Sequence, residues 1–495
     1  MKLPRSRSDA DRGECEALPL TRLIATLGPA TATPARLRGV IEAGVSILRL
    51  NFSHGTLEGH AKQLAMARDA AEAAGRTVAI LGDLRGPRIR LVPMAGPAVR
   101  LKAGEAVEFA RDAHRGTRTR SLRLALSEPA VLADLAPGHR VLIADGTMCV
   151  RVESCQRGVV TGRVEIGGRF SGSKGVNLPD SRLSLPSIGP HDQKAIEWSV
   201  RQGIDLVALS FVRRAEDLQD LRRRLRKAAG RGRLAPATLA KIERPEAIAR
   251  LEAIVDACDG IMVARGDLGA EMGLEAVPPL QRRILTVAHD HGRPVIIATE
   301  VLQSMVRSAT PTRAEVGDLS RAVLDEADAV MLSGETAIGR HPARVVATAA
   351  RILRQAERWS REAPTPSPGR LARGRLESAL AHAAWQLALE LGAEQVLVSA
   401  DEPELVRHLA QNPFSAPLVV VGSDAAKLRQ LLLHRGVVPL FTSSGGAGRD
   451  AALRALAESM PTLCLGRAPG RVLAVGRLAG GGVVPIDPQS WSATP

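Results

Sequence analysis

The tripeptide Lys241-Ile242-Glu243 places an ammonium and a carboxylate two positions apart at the end of an apolar run. Side chains alternate along a β-strand, so Lys241 and Glu243 point the same way. The next apolar run ends in Arg265-Gly266-Asp267 and offers a further carboxylate. Burying one ammonium with two carboxylates is expensive unless a metal or an anionic substrate shares the charge. Glu243 and Asp267, with coordination positions left open, suit a hard cation that keeps its water, Mg²⁺ or Mn²⁺. The plainer alternative is that they pair off with Lys241 and Arg265. Other apolar runs end in the same manner, in Arg49-Leu50-Asn51-Phe52-Ser53-His54-Gly55, in Asp83 followed by Arg85, Arg88 and Arg90, in Thr299, and in Ser333-Gly334-Glu335-Thr336. Only 8 of the 67 basic residues are lysine. Arginine does not release its proton, which singles out a lysine at such a position.

Something must gather these tails. Eight short apolar runs, at 22–27, 46–51, 77–83, 205–210, 238–243, 260–267, 294–299 and 329–333, alternate with amphipathic helical stretches such as 35–42, 58–73, 215–227 and 280–290. Runs that are apolar on both faces suit parallel strands covered by helices. Eight β/α units predict an α/β fold, a (β/α)8 TIM barrel, whose strand C-termini carry the chemistry. The long gap between the third and fourth runs reads as short strands, at 99–109, 140–146, 149–155 and 159–166. It predicts a small inserted all-β lid domain hung over that end of the barrel. A Pro-rich linker at 363–369 precedes further alternating elements, with strands expected at 395–399, 418–421, 437–441 and 462–465, the pattern of a C-terminal open α/β domain. The expected division is a tail at 1–20, the barrel at 21–90 and 188–360, a β-barrel lid at 91–187, a linker at 361–374 and the C-terminal domain at 375–495.

Composition narrows the partners. The 495 residues are 45% apolar and 24% charged, a globular balance. The net charge of +15 is spread over helix-face clusters such as Arg222, Arg223, Arg224, Arg226 and Lys227, which reads as solvated surface with some pull on anionic metabolites. With no Tyr and 2% aromatics, stacking on single-stranded nucleic acid is excluded as the main activity. Five scattered cysteines with no Cys-x-x-Cys pair indicate a reducing compartment and no zinc site. No apolar run has membrane-spanning length, and the charged first 20 residues lack a signal-peptide core, so a cytoplasmic location without membrane contact is expected. Gly445, Gly446 and Gly448 lack a flanking phosphate-loop fingerprint and read as a turn.

In order along the chain, segments 23–29, 49–55, 83–90, 175–179, 241–243, 260–269, 298–305, 311–316 and 331–336 resemble the signature segments of the pyruvate kinase family. The likeness runs from about residue 20 to residue 355 and weakens to a pattern beyond. It implies the layout above, usually as a homotetramer, and phosphoryl transfer from phosphoenolpyruvate to ADP, giving pyruvate and ATP, with Mg²⁺ or Mn²⁺. By the same resemblance Arg49, Lys241 and Thr299 are catalytic, and Gly266 and Asp267 join them in binding substrate. Glu243 and Asp267 hold the divalent metal, and Asn51, Ser53, His54, Arg90 and Lys174 bind nucleotide. Phe52 is expected to pack, and Ser333, Gly334 and Glu335 to shape the end of the eighth strand.

The chain departs from the family where a monovalent cation binds. Asn51, Ser53 and Asp83 occupy three of its positions, but the usual Thr is Leu84, and Arg88 stands where potassium-dependent members carry Glu. A permanent guanidinium near Asp83 supplies the charge that K⁺ otherwise brings, so K⁺ is expected to be dispensable. Arg85 replaces a common Lys and Glu300 a common Gln. The loop 399–404, where some members bind an effector phosphate, carries Asp401, Glu402 and Glu404, which would repel one. Two other readings stay open: a barrel lyase or aldolase acting on pyruvate or phosphoenolpyruvate, and a regulatory protein that keeps the fold without turnover.

Overall fold

The computed structural model describes residues 18–93, 98–111, 122–362, 376–442, 452, 455–456 and 470–486. Eight parallel strands close a barrel: β1 (Arg22–Thr26), β2 (Ile47–Asn51), β3 (Ala79–Asp83), β4 (Leu206–Leu209), β5 (Ala237–Ile242), β6 (Gly260–Ala264), β7 (Val295–Ala298) and β8 (Ala329–Leu332). β8 returns to β1 with Ile24 opposite Met331. Every residue of β1, β3 and β6 is buried, as strands covered by helices on one side and by the barrel interior on the other must be. Helices Pro34–Glu42, Leu57–Ala73, Ala215–Ala229 and Val277–Asp290 lie where the amphipathic stretches predict them. Thr33 and Thr56 cap the first two by accepting from the amides of Arg36 and Gly59. The expected strand 260–267 is shorter than its pattern. It stops at Ala264, and the chain turns directly into the helix Arg265–Met272, where Asp267 in the first turn complements the positive helix end.

Alternation sorts the barrel interior into layers. Ile24, Ile47, Leu81, Ala208 and Leu239 belong to one apolar cluster inside the barrel. Two residues further along each strand stand Thr26, Arg49, Asp83, Ser210 and Lys241. A dry plug therefore underlies a polar layer at the C-terminal end of the strands.

Between β3 and β4 the chain forms a six-stranded sheet and a two-stranded one. Their apolar cluster includes Phe109, Leu122, Val141 and Val150 and is separate from the barrel's. Val176–Asn177 and Leu122–Leu124 are the two edge strands of the larger sheet. Arg90 bridges Gly175 and Leu91 bridges Leu126, so residues 90 and 91 reach across between the edges.

The C-terminal sheet orders its strands Val437–Phe441, Leu418–Gly422, Gln395–Ser399, Val472–Gly476 and Gly482–Ile486, all parallel except the last. The linker 363–369, the strand expected at 462–465, the glycines at 445–448 and residues 1–17 of the tail lie outside the described residues. This domain seals the barrel floor. Leu432 and Leu433 join the interior cluster, Arg429 pairs with Asp205 at 2.7 Å, and Gln411 donates to Asp328 at 3.3 Å. His434 is buried beside them, and its ring is pushed down to about 4 by burial, which the nearby Arg407 and Arg293 reinforce and Asp328 opposes. Because the unfolded ring titrates near 6.5, stability from this site is whole above that pH and is lost as pH falls toward 4. The loss from pH 7.5 to pH 5 is expected to reach about 2 kcal/mol. His434→Gln should remove most of that acid sensitivity, read as the change in urea midpoint between the two pH values. An equal change in both proteins would contradict it.

Candidate active site

Arg49, near the end of β2, lies under the rim with 8% of its surface exposed. Its guanidinium is fixed by Asp83, with Nε at 2.8 Å and the ion-pair contact at 2.7 Å, and it donates to Thr26 Oγ1 at 3.0 Å. Lys241 Nζ donates to Ser210 Oγ at 2.7 Å, and Ser210 donates onward to the Leu84 carbonyl at 2.8 Å. The ammonium also lies 3.0 Å from Glu243 Oε1 and 3.4 Å from Asp83 Oδ1. The ammonium is the one described partner of each of those two buried oxygens. The other Glu243 oxygen accepts from the Phe211 amide at 2.6 Å. Phe211 reaches that position with φ of +55°, a left-handed conformation unusual for an aromatic residue. Gly86, at φ +64°, packs so closely on Ser210 and Phe211 that a Cβ would meet the Ser210 Cβ at 3.0 Å.

The electrostatics follow from burial. Burial alone would lower Lys241, but Asp83 and Glu243 outweigh it and hold the ammonium above its usual range. Asp83 is held below the usual carboxylate range because Lys241 and Arg49 overcome its burial. Burial pushes Glu243 up, the Asp267 charge adds to that, and Lys241 and the Phe211 amide only partly offset it. Two cations and three carboxylates leave the cluster one negative charge, the condition in which a divalent cation is welcome. Arg265 pairs with Asp318 at 2.7 Å and donates to the Thr299 carbonyl, so of the two plain pairings that of Glu243 with Lys241 is found and that of Asp267 with Arg265 is not. Among the described residues no group of three or more His, Cys, Asp or Glu side chains converges on one point. Glu243 and Asp267 are two carboxylates within each other's field, a number that leaves coordination positions open.

Thr299 and Glu300 follow β7 with φ of +68° and +53°. The Thr299 hydroxyl donates to the Ala298 carbonyl at 2.6 Å and accepts from the Gly266 amide at 2.8 Å. The Gly266 N–H is thus occupied in this state, and only rotation of Thr299 frees it for a ligand. Glu335 is fully buried and accepts the amides of Leu302 and Ser333, a structural use in agreement with the sequence. Phe52 packs edge-on against Trp198 and His60.

Beside this cluster the loop after β2 meets the base of the lid. Asn51 Oδ1 accepts from the Ser53 amide at 3.1 Å. The exposed His54 ring is lowered by its partial burial and by the cations Arg90, Arg88, Arg49 and Arg85. The Leu91 amide donates to the Lys174 carbonyl at 2.8 Å, which brings Arg90 and Lys174 to the same seam. Arg88 lies beside Gly175 and not as the partner of Asp83, whose described ion pairs are Arg49 and Lys241. The Leu84 side chain turns into the core. In the loop 399–404, Asp401 pairs with Lys427, Glu404 pairs with Arg407, and Glu402 accepts the Arg477 amide.

Thr26 and Ser210 were missing from the sequence inference although they hold Arg49 and Lys241. The signal was present: each stands at the parity position of its strand, two residues past a barrel-interior apolar side chain.

Comparison with known proteins gives a consistent result. Residues 18–346 match the family model for the pyruvate kinase barrel domain. A pyruvate kinase of Methylorubrum extorquens is 37% identical over 444 residues, covering 88% of this chain and 89% of that protein. One from Mycobacterium tuberculosis H37Rv is 36% identical over 463 residues, 91% of this chain and 96% of its own. The crystal structure of a pyruvate kinase from Cryptosporidium parvum superposes with a TM-score of 0.85 at 30% identity, covering 94% of this chain and 96% of that one.

Proposed function

The chain belongs to the pyruvate kinase family, whose members move a phosphoryl group from phosphoenolpyruvate to ADP, and on that premise we propose that the polar layer above the barrel plug is where it does so. One observation carries the reading: Glu243 is fully buried, its Oε1 has the Lys241 ammonium at 3.0 Å as its one described partner, and it lies within the field of Asp267. The family is metal-dependent, and Glu243 and Asp267 would hold Mg²⁺ or Mn²⁺, which when bound polarises the substrate's carboxylate and phosphate.

The protein's own groups do the rest. The bond from the enol oxygen to phosphorus breaks as one forms to a terminal oxygen of ADP, and charge spreads over the moving group. Arg49 and Lys241, locked by Asp83, Thr26 and Ser210, face that charge without having to reorganise. Lys241 also steadies the enolate left behind, which becomes pyruvate when its methylene carbon takes a proton. Thr299 serves that delivery through water once its hydroxyl turns from Ala298. The amides of Gly266 and Asp267, opening a helix, hold the substrate carboxylate. Asn51, Ser53, His54, Arg90 and Lys174 hold the nucleotide, and the shared field of Arg85, Arg88 and Arg90 favours its polyphosphate.

The test is pyruvate formation from phosphoenolpyruvate, ADP and Mg²⁺, followed through lactate dehydrogenase. Turnover supports the reading. Inactivity at saturating substrates with either metal would favour a binding protein that keeps the fold, and metal-dependent cleavage without ADP would favour a lyase.

K⁺ is not needed. Leu84 offers no hydroxyl, and Arg88 brings a permanent guanidinium where potassium-dependent members carry Glu, so the monovalent site at Asn51, Ser53 and Asp83 lacks one ligand and has a fixed charge to stand for the ion. Adding 100 mM KCl to an assay free of Na⁺ and K⁺ should change kcat less than about twofold, a barrier change under about 0.5 kcal/mol. A tenfold activation would contradict this. The same reading includes the domain division of the sequence, assembly as a homotetramer, for which exposed Leu274 and Ile338 offer apolar surface, and a cytoplasmic setting. Among the described residues no helix is long and apolar enough to cross a membrane.

A further inference from the structure

The lid and the two carboxylates are joined by a buried polar chain outside the catalytic cluster. Asn177 lies on the returning lid strand Val176–Asn177, which pairs with Arg140–Ile143 inside the lid sheet. Its amide nitrogen donates to Glu271 Oε1 at 2.9 Å. The other oxygen of Glu271 pairs with Arg244 at 2.9 Å. Arg244 then donates to two carbonyls of the same returning segment, Leu178 at 3.3 Å and Ser181 at 3.0 Å, and pairs with Glu246 at 3.1 Å. Asn177, Arg244 and Glu271 are 7%, 2% and 4% exposed.

Their places in the chain give this cluster its meaning. Arg244 immediately follows Glu243, and Glu271 stands one helical turn after Asp267 on Arg265–Met272. Each candidate metal ligand is thus coupled through one short stretch of backbone to one half of a buried ion pair, and the lid's return strand is hydrogen-bonded to both halves. A buried pair with saturated hydrogen bonds is stiff, and breaking it is costly. Motion of the lid strand cannot leave it unchanged.

We propose that Asn177, Glu271 and Arg244 are positioning residues that transmit metal occupancy between Glu243 and Asp267 to the seating of the lid. The inference rests on the metal reading of those two carboxylates. By linkage, whatever the metal does to the lid, the seated lid does to metal affinity.

The experiment uses Mn²⁺ alone, without nucleotide, on the full chain. Two readouts are taken: the Mn²⁺ dissociation constant from the free-ion electron paramagnetic resonance signal, and amide exchange at Leu91 and Val176, whose N–H groups bond Lys174 and Ile89 across the lid base. In the unmodified protein Mn²⁺ should slow exchange there about fivefold or more, the lower end of measured couplings. Asn177→Ala should bind Mn²⁺ about fivefold more weakly than the parent, the reciprocal of the lost coupling, while its lid exchange no longer responds. Glu271→Gln keeps the volume and a hydrogen-bonding end while deleting the charge, and should likewise uncouple, which covers the case in which the alanine variant does not fold. Asn177→Gln, a longer amide, should recover part of the response. A lid that responds to Mn²⁺ equally in the parent and in both uncoupling variants overturns the proposal while leaving the metal reading intact. So does a parent that binds Mn²⁺ with no lid response. A parent that does not bind Mn²⁺ overturns the metal reading itself.

Discussion

Lys241→Met should abolish turnover, with kcat falling about a thousandfold or more, because a fixed cation on a transferring phosphoryl group is worth that much. The loss corresponds to roughly 4 kcal/mol of transition-state stabilisation. Methionine matches the length of the lysine stem, so the substitution removes charge more than volume. What it leaves is a Glu243 carboxylate with no cation and an Asp83 held by Arg49 alone. A stability loss of about 3 kcal/mol is expected from an uncompensated buried charge, and a melting curve distinguishes it from catalytic loss. Mn²⁺ binding should survive and even tighten, since the ammonium competes with the metal for Glu243. A folded Lys241→Met protein that retains a tenth of the parent rate would show that the transferred group lies elsewhere.

Glu243→Gln attacks the other half of the cluster. The amide keeps the shape but loses the charge, and its oxygen still accepts from the Phe211 amide when the side chain is suitably flipped. Mn²⁺ affinity should weaken at least about tenfold, or 1.4 kcal/mol. Activity at fixed metal should fall roughly a hundredfold, with part of the loss recovered at high Mn²⁺, because metal polarisation of the phosphate supplies several kcal/mol. In the parent, burial and the Asp267 charge raise Glu243, so protons compete with the metal there. Metal affinity should therefore weaken as pH falls, and Glu243→Gln should lose that dependence. Undiminished Mn²⁺ affinity in the variant would remove Glu243 from the metal site.

The barrel was legible because parallel strands buried on both faces leave continuous apolar runs, and because each run ends in residues that no core would choose. Lys241 and Glu243 share a strand face, a period-two fact open to the sequence. Thr26 and Ser210 were not read, since one hydroxyl closing an apolar run is ordinary until the opposite strand brings an arginine or a lysine against it. The shortened β6 was misread because Ala264 and Arg265 carry no turn residue. The helix begins there on the strength of its first-turn acid and its neighbours, not of a cap box. Arg88 makes no described ion pair with Asp83 and lies beside Gly175 of the lid, a contact that its place in the sequence after Asp83 does not announce. Asn177, Arg244 and Glu271 lie 94 and 27 residues apart in successive contacts, and no local pattern links ions at such separations.

The central claim is that the carboxylates of Glu243 and Asp267 share one divalent ion within reach of the Lys241 ammonium. Anomalous diffraction from crystals grown with Mn²⁺ locates that ion without reference to activity. One peak bound by both carboxylates, about 2.2 Å from an oxygen of each and not displaced by Lys241, is the expected result. A peak held by other residues, with Lys241 still closing the Glu243 carboxylate, would contradict it.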